Sequence, residues 1–404
     1  MITHQDFRAH SEEARAVWEA YRAGHPIRVP VTLWADPRFF ILDEKYNPGE
    51  RMSFRDYSED AILMMDSQLR MAEWERLHVA PCCDHEAGLP DKFVVSVDLQ
   101  LYYDAGYFGA PVEYRPGQVP DTQPVLAGDR KNLLFDRGLP ADPLTGGGEV
   151  FPRALRLHEA MVERVRRGLT YLLRPAEVSP WNLSTLGPLT LATALRGPEL
   201  YADFYIDPDY VRQLLDFLAE ALITRIRTHR RFFGLPEVSD TWAYADDAVQ
   251  NLSTEMVREF VLPAHRKLKK GLTTAQRISI HLCGDSARHF RLLRDEMGVF
   301  SFDTGFPIDF ARVRRELGPE VEIVGGPRVM LLHSGSPDEV SAECRRILQS
   351  GIMEGRFILR EANDLVQGAP LVNLDAMHQA ARAFGRYSPS PAWGPRGSFP
   401  LPMK

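Results

Sequence analysis

The chain has 404 residues, 44% hydrophobic and 25% charged, a globular composition large enough for one big barrel or two ordinary domains. Its formal net charge of −7 leaves no basic surface on which to build nucleic-acid binding. No apolar run is long enough to span a bilayer, and the polar, charged first residues carry no secretory signal. Four scattered cysteines, Cys82, Cys83, Cys283 and Cys344, are too few for a disulfide scaffold, so a reducing cytoplasm is the expected setting.

An amphipathic helix is expected over 4–23, within an N-terminal extension of residues 1–26, followed by a strand from Ile27 to Trp34. A loop-rich region with one helix, Glu59 to Leu77, leads to a strand at Phe93–Val97 that ends at Asp98. Residues 110–152, rich in Pro, Gly and Asp, read as loops or an insertion, and Gly146-Gly147-Gly148 as a flexible loop with no preceding strand. Helix is expected over Ala154–Leu173, Thr190–Leu195, Pro208–Phe233 and Thr254–Gly271. Strands are expected over Ala176–Leu183, Thr241–Ala245, Arg277–Cys283, Phe300–Asp303, Val321–Val324 and Arg356–Leu359. Eight strands alternating with helices imply a parallel sheet, and eight of them suggest a closed (β/α)8 TIM barrel with long loops, in the α/β class. An open doubly wound sheet is the alternative. The whole chain, 1–404, reads as one such domain, with a Pro-rich tail over 386–404 that wraps the surface or stays disordered.

In a barrel, functional residues belong where strands end. The polar residues at those places are Asp98, Asn182, Asp246, Asp247, His281, Cys283, Asp303, Arg328 and Glu361. Asp and Asn at such places also cap the next helix, which is the plain reading of Asp303 and Asn182. His281 and Cys283, two apart at a strand end, point to one side and could form two legs of a zinc site. The plain alternative is a buried cysteine beside a hydrogen-bonded histidine. Adjacent Cys82 and Cys83 chelate poorly together and read as part of a buried loop, and Cys344 as core.

Several segments, taken in order, resemble the uroporphyrinogen decarboxylase superfamily. They are Arg28-Val-Pro-Val31, Val97-Asp98, Phe108-Gly-Ala-Pro-Val112, Gly187-Pro-Leu-Thr190, Leu195-Arg-Gly197 and Asp246-Asp-Ala248. Phe260-Val-Leu-Pro263, His281-Leu-Cys-Gly-Asp285, Ser334-Gly-Ser-Pro-Asp-Glu-Val340, Phe357-Ile-Leu359 and Pro370-Leu-Val-Asn373 continue the series. The resemblance implies a (β/α)8 barrel, and barrels of this family often pair, so a homodimer is among the expectations.

The true decarboxylases of that superfamily carry an arginine-rich fork after the first strand; here the place reads Leu33-Trp-Ala-Asp-Pro-Arg38. One arginine remains, too few for bidentate recognition of a multiply carboxylated tetrapyrrole. The expected tyrosine is replaced by Ala194, and the late histidine falls near Ala362 or Asn363, so only Asp98 survives of the decarboxylase set. The methyltransferase branch carries a His-x-Cys and a later cysteine. His281 and Cys283 match the first two, whereas Asn363 stands at the third.

The resemblance therefore implies a zinc- and corrinoid-linked methyltransferase with a departure in its ligand set. Glu361 is the expected replacement ligand, giving His281, Cys283 and Glu361 with an open fourth position. Asp84-His85 lacks the spacing of an Asp-x-His-x-x-Gly cobalamin loop, so a corrinoid would sit on a partner protein. Losing one thiolate points away from thiol methylation and toward a small O-methyl donor. Asp246 or Asp247 could act as general acid, and Asp98 is a further catalytic candidate. Trp34, Tyr103, Asn182, Asp303, Arg328 and Asn363 are candidate substrate contacts, with ordinary packing as the plain reading for the aromatics. Two other readings stay open: a lyase using Asp98 and Arg328, and a non-catalytic relative that binds a corrinoid or tetrapyrrole.

Overall fold

The computed structural model describes residues 4–181, 183, 186–387 and 393–396. Seven of the eight expected strands form ladders. They are β1 (Phe93–Val95), β2 (Arg174–Val178), β3 (Ala243–Ala245), β4 (Ile278–Leu282), β5 (Val299–Thr304), β6 (Glu322–Gly325) and β7 (Phe357–Leu359). β1 pairs in parallel with β2, and β3 to β7 make one parallel sheet in chain order. Single parallel bridges set Val31 beside Leu359 of β7 and Leu186 beside Ala245 of β3, extending the larger sheet at both edges. Ladders joining the two sheets into a closed ring are not among the described pairings.

The Ile27–Trp34 segment is held by scattered bonds, Val29 N–H to Gly385 O at 2.8 Å and Thr32 N–H to Leu359 O at 3.0 Å. Pro30, with no N–H, interrupts a regular ladder there. The helix expected over Ala154–Leu173 instead spans Val150–Arg166 and stops before Gly168, whose φ of +89° suits a chain reversal. A hairpin follows, Thr170–Tyr171 against Arg174–Pro175. Ser336 and Glu339 form a reciprocal capping box that starts the helix Pro337–Leu348. Asp207 caps the 25-residue helix Pro208–Phe232, with proline at its first position. No helix among the described residues is long and apolar enough to cross a membrane.

Alternation along the strands separates two cores. Phe302, Ile323, Phe357 and Leu359 face the helices in the main cluster, whereas Val324 and Ile358 meet Trp18 and Tyr21 of the N-terminal helix His4–Ala23 on the other face. That inner face also buries Glu322, which accepts from Tyr21 Oη at 3.1 Å, Ser301 Oγ at 2.8 Å and Arg396 Nε at 2.6 Å. Trp393 and Arg396 of the tail are thus buried rather than laid over the surface.

The strand register stacks the inner face in layers. Ala245, His281, Asp303, Val324 and Ile358 are successive partners across β3 to β7. Two residues further along, the same alternation brings up Asp247, Cys283, Gly305, Gly326 and Arg360, and the Arg328–Ala362 bridge keeps that register past β6 and β7. Glycine at both 305 and 326 lets neighbouring backbone approach closely. A Cβ on Gly305 would stand 2.7 Å from Gly284 N and 2.8 Å from Cys283 Cα, both backbone. Gly305→Ala is therefore expected to cost about 1–3 kcal/mol, as overpacking does. Urea titration checks it, and an unchanged midpoint and slope would show that the Cys283 loop yields freely.

Candidate metal centre at the strand ends

Asp246 and Asp247, adjacent in sequence, part ways because side chains alternate. Asp246 turns outward and is fully buried. It accepts from Thr190 N and Thr190 Oγ1, both at 2.7 Å, and contacts His265 Nε2 at 2.6 Å. It thereby anchors the start of the helix Pro188–Arg196. Its oxygens are engaged by the scaffold, so of the two aspartates it is Asp247 that faces the His281–Cys283 pair. Asp247 turns inward, where its Oδ1 accepts the Cys283 N–H at 2.6 Å and lies 3.9 Å from His281 Nε2.

His281 is the penultimate residue of β4 and Cys283 is the first residue past it, with Sγ 2.9 Å from His281 Nε2. Ligand atoms of Asp247, His281 and Cys283 all lie within 4.8 Å of one another, and all three residues are half-buried. On its other side, His281 Nδ1 meets Asp303 Oδ2 at 2.6 Å, and Arg360 Nη1 reaches the same oxygen at 2.6 Å. Burial opposes a charge on His281, but Asp303 and then Cys283 outweigh it and lift the imidazole well above its usual range. Burial likewise opposes ionisation of Asp303, yet Arg360 and His281 hold its carboxyl below the usual range. Asp247 moves the other way: burial lifts its carboxyl despite His281 and the Cys283 N–H.

Glu361 lies outside this group. It is fully buried, accepts the Trp34 N–H at 2.9 Å and sits 3.5 Å from Arg360 Nε. Burial pushes its carboxyl up to about 8. The structure thus brings Asp247, rather than Glu361, to the His281–Cys283 pair, because residue 361 turns away from the inner face that residue 360 occupies.

The remaining sequence candidates are dispersed. Trp34 lays its ring 4.5 Å from the Arg360 Cζ. Asp98 accepts from Tyr57 Oη at 2.9 Å and Gln100 N at 3.0 Å, and burial still raises its carboxyl. Arg328 is exposed, its Cζ 5.8 Å from the Phe306 ring. Asn363 is exposed with φ of +102°. Tyr103 is 5% exposed and packs near the buried Arg225. Asn182 lies outside the described residues. The Cys82–His85 loop is structural: Asp84 holds Arg28, and His85 Nε2 bonds Thr32 Oγ1 at 2.7 Å. Two surface clefts, one lined by Glu13, Arg28 and Arg382 and the other by Phe135, Phe217 and Lys267, do not touch the cluster.

Sequence reasoning overlooked Arg360. The available signal was its place as the first polar residue after β7. It also missed a rim cluster in which Arg38 Nη2 meets Asp364 Oδ2 at 2.5 Å, with Asp36 beside it. Burial, before the neighbouring charges, raises Asp36 to about 6.

Comparison with known proteins places the chain in a family. Residues 163–384, more than half of the chain, match the family described as uroporphyrinogen decarboxylase (URO-D). A curated relative, the methylated-thiol–coenzyme M methyltransferase of Methanosarcina mazei, is 29% identical over 204 residues, 48% of this chain and 51% of the relative. The match thus spans about half the length of that protein. A solved methyltransferase from Methanosarcina mazei aligns with a TM-score of 0.62 at 19% identity, over 92% of this chain and 98% of that one, a likeness of fold. The chain belongs to the uroporphyrinogen decarboxylase family, and its similarities there run to the methyltransferase-like branch.

Proposed function

We propose that this protein is a metal-assisted methyltransferase that moves a methyl group from a small O-methyl compound to a corrinoid carried by a separate protein. The observation that carries the reading is the convergence of Asp247, His281 and Cys283 at neighbouring strand ends. Carboxylate, imidazole and thiolate donors fit zinc, and three protein ligands with a fourth position open is the pattern of a catalytic site. Zinc held there supplies a Lewis acid that weakens the bond between the donor's heteroatom and its methyl carbon.

The chain's own residues do the positioning. Asp303 holds His281 Nδ1, leaving Nε2 to face Cys283 and Asp247. One thiolate with a carboxylate is a harder ligand set than two thiolates, which favours an oxygen-bound methyl group over the methylated thiols in the relative's name. The Asp84–His85 stretch, whose side chains are committed to Arg28 and Thr32, supports placing the corrinoid on a partner rather than on this chain.

The test is metal content, followed by methyl transfer from aryl and small methyl ethers to cob(I)alamin, read as methylcobalamin absorbance. About one zinc per chain is expected, lost in Asp247→Ala and retained in Glu361→Gln. Loss in Glu361→Gln with retention in Asp247→Ala would return the third ligand to Glu361. A wild-type protein that takes up no zinc on reconstitution would sink the reading. Carbon dioxide release from a carboxylic acid would move it to a lyase.

A further inference from the structure

Arg360 is the least expected residue at this centre. It follows β7, yet its guanidinium bonds Asp303 on β5, with β6 lying between the two strands. Gly326, the residue just past β6, carries no side chain at that crossing. A Cβ there would also meet the Leu359 side chain at 3.0 Å and crowd the Arg360 carbonyl.

The guanidinium is held from several sides. Its Nη2 lies 3.4 Å from Asp364 Oδ1, its Nε 3.5 Å from Glu361 Oε1, and the Trp34 ring packs over it. The chain's own carboxylates occupy these donors, so Arg360 is not laid out to receive a substrate anion. Asp303 Oδ2 takes both Arg360 and His281, while Asp303 Oδ1 is buried with no hydrogen-bond partner among the described residues. The orientation of the Asp303 carboxylate, and through it the His281 ring, is therefore set on one oxygen by Arg360.

We infer that Arg360 is a positioning residue for the metal centre: it locks Asp303 so that His281 presents Nε2 toward Cys283 and Asp247. The inference rests on the metal-centre reading above. Arginine is required because its planar fork bonds Asp303 while its face stacks on Trp34 and its other nitrogens reach Glu361 and Asp364; lysine offers a single point charge. A helix cap, the plain alternative for Asp303, does not describe it, since its side-chain bonds go to His281 and Arg360.

The experiment compares wild type, Arg360→Met, Arg360→Lys and Asp303→Asn. Zinc affinity is read by competition with a chromophoric chelator, and the site by the visible spectrum of the cobalt(II)-substituted protein. Thermal midpoints are recorded alongside. Arg360→Met and Asp303→Asn are expected to weaken zinc by about 10–100-fold, the usual cost of losing a partner behind a ligating histidine. Both should alter the ligand-field bands while keeping the thiolate-to-cobalt band. Arg360→Lys should fall between, and it carries the test if the methionine variant does not fold. Wild-type affinity and spectrum in Arg360→Lys and Arg360→Met would overturn the inference and leave the metal centre standing. A wild-type protein that binds neither metal would overturn both.

Discussion

Cys283→Ala is expected to leave reconstitution without stoichiometric zinc and without measurable methyl transfer. Cys283 supplies the sole thiolate of the donor group, and its Sγ sits 2.9 Å from His281 Nε2. Alanine leaves one imidazole and one carboxylate, a pair that does not retain zinc against a chelator. The affinity loss should exceed the roughly 10–100-fold expected from disturbing Asp303 or Arg360 behind the histidine. The half-buried Cys283 contributes little packing, so the thermal midpoint of the metal-free protein should stay close to wild type. Elemental analysis and the cobalt thiolate band report on the ligand directly. Cys344→Ala is the control, because that thiol is buried in the helix Pro337–Leu348. Full zinc retention by Cys283→Ala would remove the thiolate from the centre.

Asp84→Ala is expected to be the most damaging single change to the fold. Its carboxylate takes Arg28 Nη2 at 2.5 Å and Nη1 at 2.7 Å, and the Val31 N–H at 2.7 Å. His378 Nε2 of the helix Leu371–Phe384 lies 3.4 Å away, and the Asp84 carbonyl accepts Trp18 Nε1 at 2.7 Å. One residue thus joins the first strand segment, the N-terminal helix and the last helix. Removing one partner of a buried pair costs about 3–5 kcal/mol, and Arg28 would keep only the more exposed Glu13, at 3.4 Å, as a carboxylate partner. Denaturant unfolding at neutral pH measures it, and a loss below about 1 kcal/mol, the range of a surface pair, would contradict it.

The same residue sets an acid limit. Burial works against its charge, but His378 and Arg28 outweigh burial and bring the carboxyl down to about 2. A depressed folded-state value contributes stability that is present above the unfolded carboxylate value of about 3.9 and lost as pH falls toward the folded one. Asp84→Asn should accordingly lose less stability than wild type between about pH 4 and pH 2. Parallel stability curves over that interval would assign acid unfolding to other carboxylates.

Much of the architecture is legible in the chain. Seven of the eight expected strands form ladders, and the capping box at Ser336 and the Pro208 helix start sit where the residue types place them. These features depend on neighbours within a few residues, where alternation, capping and proline chemistry act. Long-range features are less legible. Pro30 reduced the first strand to isolated bridges, and the Leu172–Leu173 reversal, with positive φ at both residues, has no glycine or asparagine to announce it.

The centre divides along the same line. His281 and Cys283 are legible because both lie at one strand end, two residues apart, and local alternation places them on one side. The third donor could not be read that way. Asp246 against Asp247, and Arg360 against Glu361, are choices of strand face, which the chain leaves open by one residue until register is set. Pairing of Ala245 with His281 and of Ile358 with Val324 turns Asp247 and Arg360 inward and Asp246 and Glu361 away. Register is the product of hydrogen bonds and packing across the whole sheet, so residues far apart in sequence, from Trp34 to Arg360, acquire a common site only when the fold closes around them.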